Sequence, residues 1–79
     1  MYNAPSRRHG AQRMRITING EEQQVPEGLT ASELVERIGL ADQRIALEVN
    51  REIVPRSEYA QTRLAEGDRV EIVRAIGGG

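Results

Sequence analysis

From Met14 onward, apolar and polar residues recur with two different periods, and the switches between them divide the chain into elements. In Arg15-Ile16-Thr17-Ile18 the period is two, as on a strand with one buried face. Asn19-Gly20 follows as a two-residue turn, since both residues tolerate positive φ. A second strand runs from Glu22 to Val25. Pro26 has no N–H to give a ladder and ends it, and Glu27-Gly28 leads the chain out of the sheet. The period then becomes helical. Thr30 and Glu33 have the spacing of a capping box, and Leu29 and Leu34 that of a hydrophobic staple. Ala31, Leu34, Val35 and Ile38 form one apolar stripe, opposite Ser32, Glu33, Glu36 and Arg37. Gly39 stands at a left-handed C′ position with Leu40 behind it, which closes a helix of about three turns.

Ala41 to Arg44 reads as a loop. Ile45, Leu47 and Val49 alternate with Ala46 and Glu48 in a third strand, and Glu52 to Val54 form a short fourth one that stops at Pro55. Ser57 to Thr62 predicts a single irregular turn, with Leu64 plugging the core beneath it. After the turn Glu66-Gly67-Asp68, a last strand runs over 69–76, with Val70 and Ile72 inward and Arg69 and Glu71 outward. Val73, Ala75 and Ile76 break that alternation and stand either as core or as contact surface. The order hairpin, helix, strand, short strand, final strand predicts an α+β domain: a mixed sheet of four to five strands with one main helix across one face. Carrying the chain over the helix from strand two to strand three, with the last strand closing the sheet, leads to the β-grasp arrangement. In that fold the C-terminus leaves from the end of a central strand.

At 79 residues the chain makes one small domain, burying about 60% of the surface its unfolded form exposes, too little to enclose a large active site. It has no cysteine, which excludes disulfides, thiol nucleophiles and zinc–thiolate sites. It also has no apolar run of the roughly 18 residues that a membrane span needs, and no signal-peptide segment. A monomer in the cytoplasm is the expectation. All twelve acids lie at or after Glu21, so residues 14–79 carry a net charge of −4, which argues against nucleic acid and suits a positively charged protein partner. All eleven basic residues are arginine. A codon bias accounts for that, and so does a chain whose own carboxyl is activated and is better off without internal amines. Residues 1–13 have no apolar period and read as a disordered basic leader, either an upstream or cloning extension or a short basic arm. His9, the one histidine, stands in this leader without acids or cysteines nearby and is no metal or general-base candidate. Residues 14–76 are the expected domain.

Gly77, Gly78 and Gly79 follow the last predicted strand. Three glycines in extended form reach roughly 10 Å and, lacking Cβ atoms, fit a channel too narrow for other residues, ending in a carboxylate. A frayed end or a cloning scar is the bland alternative.

The chain resembles the small sulfur carrier proteins of thiamin biosynthesis, a ubiquitin-like β-grasp family. Three stretches carry the resemblance: Arg15-Ile16-Thr17-Ile18-Asn19-Gly20-Glu21, then Val49-Asn50-Arg51-Glu52-Ile53-Val54-Pro55-Arg56, then Glu66-Gly67-Asp68-Arg69-Val70-Glu71-Ile72-Val73 running into the glycines. The leader is a departure from the family pattern. The resemblance implies a carrier and not an enzyme. A partner adenylating enzyme of the E1-like kind, using ATP and magnesium, would activate the Gly79 carboxyl. Sulfur from a persulfide donor such as a cysteine desulfurase would then displace AMP, and thiazole synthase would take the sulfur from the resulting thiocarboxylate. The carrier itself would bind no cofactor or metal and supply no catalytic residue. Gly78 would keep the approach narrow, Gly77 would add reach, and Arg74, Ala75 and Ile76 would be gripped first by the partner. Glu33, Asp42 and Ser57 read as cap, loop and turn. Two other readings share these features: the small subunit of molybdopterin synthase, whose members are expected to be richer in phenylalanine, and a ubiquitin-like modifier ending in an isopeptide.

Overall fold

A computed structural model describes residues 12–74, which fold into five strands, one α-helix and one 3₁₀ helix. Strand β1 (Arg13–Ile18) turns at Asn19-Gly20 into the antiparallel β2 (Glu21–Pro26). The turn residues take φ values of 51° and 87°, the positive angles that match a two-residue hairpin to the twist of its strands. Both strands extend beyond the expected bounds. Arg13 pairs with Pro26, and the Glu27 N–H donates to the Gln12 carbonyl at 3.1 Å. These outer rungs are backbone pairing, which needs no buried side chain and leaves no mark in an apolar pattern.

Helix α1 (Ala31–Arg37) starts where the sequence puts it. The Thr30 hydroxyl accepts from the Glu33 N–H at 3.1 Å while the Glu33 carboxylate accepts from the Thr30 N–H at 2.9 Å, so the capping box is complete. At the far end Gly39, with φ of 80°, donates to the Glu36 carbonyl and Leu40 donates to that of Val35, which satisfies two terminal carbonyls. That closure comes early. The helix has seven residues, about two turns instead of three, and Ile38 is not part of the buried stripe: it is the C-cap residue and is 38% exposed, because the chain already unwinds there.

Strands β3 (Ile45–Val49) and β4 (Glu52–Val54) pair around Asn50-Arg51, with φ of 52° and 72°. This is a second hairpin with both turn residues at positive φ, and Arg51 holds a Cβ where glycine is the usual occupant. The irregular turn expected from Ser57 is a 3₁₀ helix (Arg56–Gln61) that buries Tyr59. Six residues are too few to display a period, so the aromatic anchor was the one available sign of it. Strand β5 (Arg69–Arg74) comes last and inserts between β1 and β3, parallel to the first and antiparallel to the second, giving the order β2-β1-β5-β3-β4.

One cluster forms the core. Met14, Ile16, Val25, Leu47, Val70 and Ile72 from the sheet meet Ala31, Leu34 and Val35 of α1, with Leu29, Tyr59 and Leu64 closing its margin. Bonds between main-chain groups join the helix start to the segment before β5, from the Ala31 N–H to the Thr62 carbonyl at 2.8 Å and from the Leu64 N–H to that of Leu29 at 2.9 Å. The five-stranded mixed sheet with α1 across one face is the β-grasp arrangement. Val73, left as core or contact surface by the sequence, is 64% exposed on the other face.

Thr30→Ala removes the cap oxygen and is expected to lower stability by about 1 kcal/mol, read from the denaturant midpoint. Arg51→Gly relieves the left-handed strain at 72° and is expected to raise the same midpoint, by roughly 0.5 kcal/mol after the greater unfolded-state entropy of glycine is deducted.

Candidate functional site at the end of strand β5

Every expected site residue lies at or beyond the end of β5, so the elements that hold this strand define the site. The turn before it is built by Glu66-Gly67-Asp68. The Asp68 N–H donates to the Ala65 carbonyl at 3.0 Å, and Gly67 takes the positive φ of 85° that this turn needs at its third residue. Gly67 then donates its N–H to the Arg15 carbonyl at 2.7 Å, and the Glu66 carboxylate accepts from the Arg15 N–H at 2.9 Å. The turn is thereby stitched to β1.

On the β3 side Asn50 closes the start of β5 with three bonds. Its N–H donates to the Arg69 carbonyl at 2.7 Å, its side-chain oxygen accepts from the Arg69 N–H at 2.9 Å, and its Nδ2 donates to the Asp68 carboxylate at 3.0 Å. On the β1 side the parallel ladder is short, with Thr17 opposite Arg69 and Ile18 opposite Val70. Beyond it β1 has turned away, and the side chain of Asn19 takes its place. Its Oδ1 accepts from the Ile72 N–H at 2.8 Å and its Nδ2 donates to the Ile72 carbonyl at 3.1 Å.

Arg74 ends the described part of β5, opposite Ile45 of β3. Its Nη2 donates to the side-chain oxygen of Gln43 at 3.0 Å, while Arg56 Nη2 donates to the Gln43 carbonyl at 2.7 Å and its guanidinium sits 5.6 Å from the ring centre of Tyr59. Gln43 therefore holds two arginines beside the exit of the strand. Neither has an acidic partner within 4.0 Å among the described residues. Arg15, by contrast, is kept more firmly protonated than an ordinary guanidinium, first by its hydrogen bond to Glu22, then by the charges of Glu22 and Glu66.

The open face of the sheet carries the opposite charge. Glu48 and Glu71 stand directly across from each other on β3 and β5, with Val73 opposite Ala46 two positions further on and Ile53 of β4, 70% exposed, opposite Glu48. Like charges in that position cost stability. A surface cleft lies elsewhere, at the start of α1 between Gly28, Glu33 and Arg63, and no residue of β5 lines it. Among the described residues no cluster of three or more histidine or acidic side chains could hold a metal ion, and no helix is long and apolar enough to cross a membrane.

Of the residues singled out in the sequence, Arg74 is exposed at the strand's end and tied to Gln43. Ala75, Ile76, Gly77, Gly78 and Gly79 lie outside the described residues, as do residues 1–11 of the leader. Glu33 serves as cap, Asp42 lies in the loop before β3, and Ser57 in the 3₁₀ helix. The sequence pattern does not show Asn19, Asn50 and Gln43 as supports. Asn19 has only the local signature of a turn former, and its side-chain bonds join positions 53 apart in sequence, which no local pattern reveals.

The ThiS family model matches residues 10–79. Over 66 residues the chain is 35% identical to the sulfur carrier protein ThiS of Escherichia coli strain K12, covering 84% of this chain and 100% of that one. It is 44% identical over 66 residues to a thiazole synthase of Paramagnetospirillum magneticum, of which it spans 20% while 84% of its own length is covered. The crystal structure of a thiamine biosynthesis protein (ThiS) from Geobacter metallireducens superposes with a TM-score of 0.74 at 32% identity, covering 84% of this chain and 100% of that one.

Glu48→Arg turns the facing carboxylates into an opposite-charge pair and is expected to stabilise the domain by about 0.5 kcal/mol at low salt. The gain should shrink when the denaturation is repeated at about 1 M salt, where the screening length falls to roughly 3 Å.

Proposed function

The chain belongs to the ThiS family, and on that premise we propose that it is a sulfur carrier of thiamin biosynthesis whose working group is the Gly79 carboxyl. The match over the whole of the E. coli sulfur carrier is the observation that carries this reading. A carboxylate is a poor electrophile and must first be activated. A partner adenylating enzyme transfers AMP from magnesium-bound ATP to the Gly79 oxygen and releases pyrophosphate. The terminal sulfur of a cysteine persulfide, supplied by a donor such as a cysteine desulfurase, then attacks the acyl carbon and expels AMP. A second thiol cleaves the resulting acyl disulfide, leaving the thiocarboxylate on the carrier and a disulfide behind. Thiazole synthase takes this sulfur. Support for that acceptor comes from the relatives of that name in Paramagnetospirillum magneticum and Magnetococcus marinus, each of which includes a stretch like this chain within a longer protein.

In this reading the domain contributes no acid, base or nucleophile and binds neither ATP nor magnesium itself. Its part is to present the tail. Gly77 and Gly78 pass through a channel sized for backbone, while Arg74, Ala75 and Ile76 are the first residues gripped. Arg74 suits that role, since its guanidinium is exposed and linked only to the neutral Gln43 side chain among the described residues. ATP and an unoxidised persulfide are both available in the cytoplasm, which supports that compartment.

Deleting Gly78 and Gly79, or adding one alanine after Gly79, is expected to leave the thermal midpoint unchanged and to abolish ATP–pyrophosphate exchange with the adenylating enzyme of the same genome. Exchange at the wild-type rate in the double deletion would remove the tail as the site. Intact mass after the complete transfer reaction is expected to show one oxygen replaced by one sulfur, whereas high-mass conjugates would indicate a protein modifier.

A further inference from the structure

Strand β5 has its main-chain groups alternating between its two neighbours. The carbonyls of Asp68 and Val70 accept from β1-side donors, Thr17 at 3.0 Å and Asn19 at 2.8 Å, while Arg69 bonds toward Asn50 on the β3 side. Ile72 is the next residue whose N–H and carbonyl face β1. By then β1 has ended at Ile18 and the chain has reversed at Asn19-Gly20, so no backbone is present to meet them. The Asn19 amide fills the gap with one acceptor and one donor, as a peptide group of a continuing strand would. The positive φ of 51° at Asn19 belongs to the reversal, so a single residue both ends β1 and adds one more rung to it.

That rung is the last on this side before the segment that bears the tail. Arg74 is two residues further on, and its pairing partner is Ile45 of β3. We propose that Asn19 is a positioning residue for the carrier reaction: by holding both main-chain groups of Ile72 it sets the direction in which β5 leaves the sheet, and so the direction in which the tail is offered to the adenylating enzyme. The inference rests on the carrier reading given above. Asn50 supplies an internal comparison, because it makes a similar set of bonds at the opposite end of the strand, at Arg69. Loss of either asparagine loosens β5, but only loss of Asn19 loosens it next to the tail.

Asn19→Gly keeps a residue suited to positive φ and deletes the side-chain rung. Asn19→Asp keeps the turn and the acceptor but sets a carboxylate oxygen against the Ile72 carbonyl. Asn50→Gly is the matched change at the other end. In all three the domain is expected to stay folded, with the Leu47 amide still protected. Amide exchange at Ile72 should accelerate about tenfold relative to Leu47 in Asn19→Gly, the equivalent of one net hydrogen bond, and should stay near the wild-type value in Asn50→Gly. In ATP–pyrophosphate exchange with the adenylating enzyme, both Asn19 variants should raise KM for the carrier about tenfold with kcat little changed, since chemistry at Gly79 is untouched once the tail is seated. Unchanged Ile72 protection would overturn the clamp, and an equal rise of KM in Asn50→Gly would reduce Asn19 to general stability. If the wild-type chain formed no adenylate at all, the carrier reading would fall and the positioning role with it, while the exchange data would still report on the clamp itself.

Discussion

The last of the described strands, β5, stands in the middle of the sheet, and the rest of the domain depends on its capture. Without β5 the chain has two separate hairpins, β1-β2 and β3-β4, and an isolated hairpin is marginal in water. Inserting it joins the two, brings Val70 and Ile72 against Ile16, Leu47 and Leu34, and completes a single core. The contacts with β1 bridge about fifty residues of sequence, so loop closure must be met before they form, and the order of the chain makes β5 the closing element. A tail that emerges from such a strand is attached to the part of the domain held from both sides.

Seen in that way, the residues by which the chain resembles its family are mostly supports for β5. Glu66, Gly67 and Asp68 shape the entry turn and fasten it to Arg15, and Asn50 grips Asp68 and Arg69. Arg56 lies over Tyr59 and holds the loop at Gln43, which in turn receives Arg74. On the proposed function the chemistry resides in a terminal carboxyl, which has little need of specific side chains, and the distinctive residues accumulate where the strand is held.

Charge divides the surface near the exit. Glu48 and Glu71 face one another on the open side of the sheet beside the exposed Val73 and Ile53, whereas Arg56 and Arg74 meet at the loop before β3. The facing carboxylates lower stability where a neutral pair would not. The same acidic and apolar surface gives a basic protein something to approach, since fields of one sign steer association even when they contribute little to the fold.

The sequence by itself determined the elements whose cause is local. The Thr30 and Glu33 capping box, the Gly39 closure, the Asn19-Gly20 reversal and the alternation in β1, β3 and β5 each depend on residues within one turn or one strand, and they were legible for that reason. Other features arose only when distant segments met. The strands lengthen at Arg13 and Pro26 through backbone pairing, and Tyr59 is buried from a 3₁₀ turn with no period to announce it. Asn19 is the plainest case. Its place in the turn follows from its own φ, but its bonds to Ile72 exist because β1 ends one rung short of what β5 needs, a mismatch set by the register of two strands far apart in the chain.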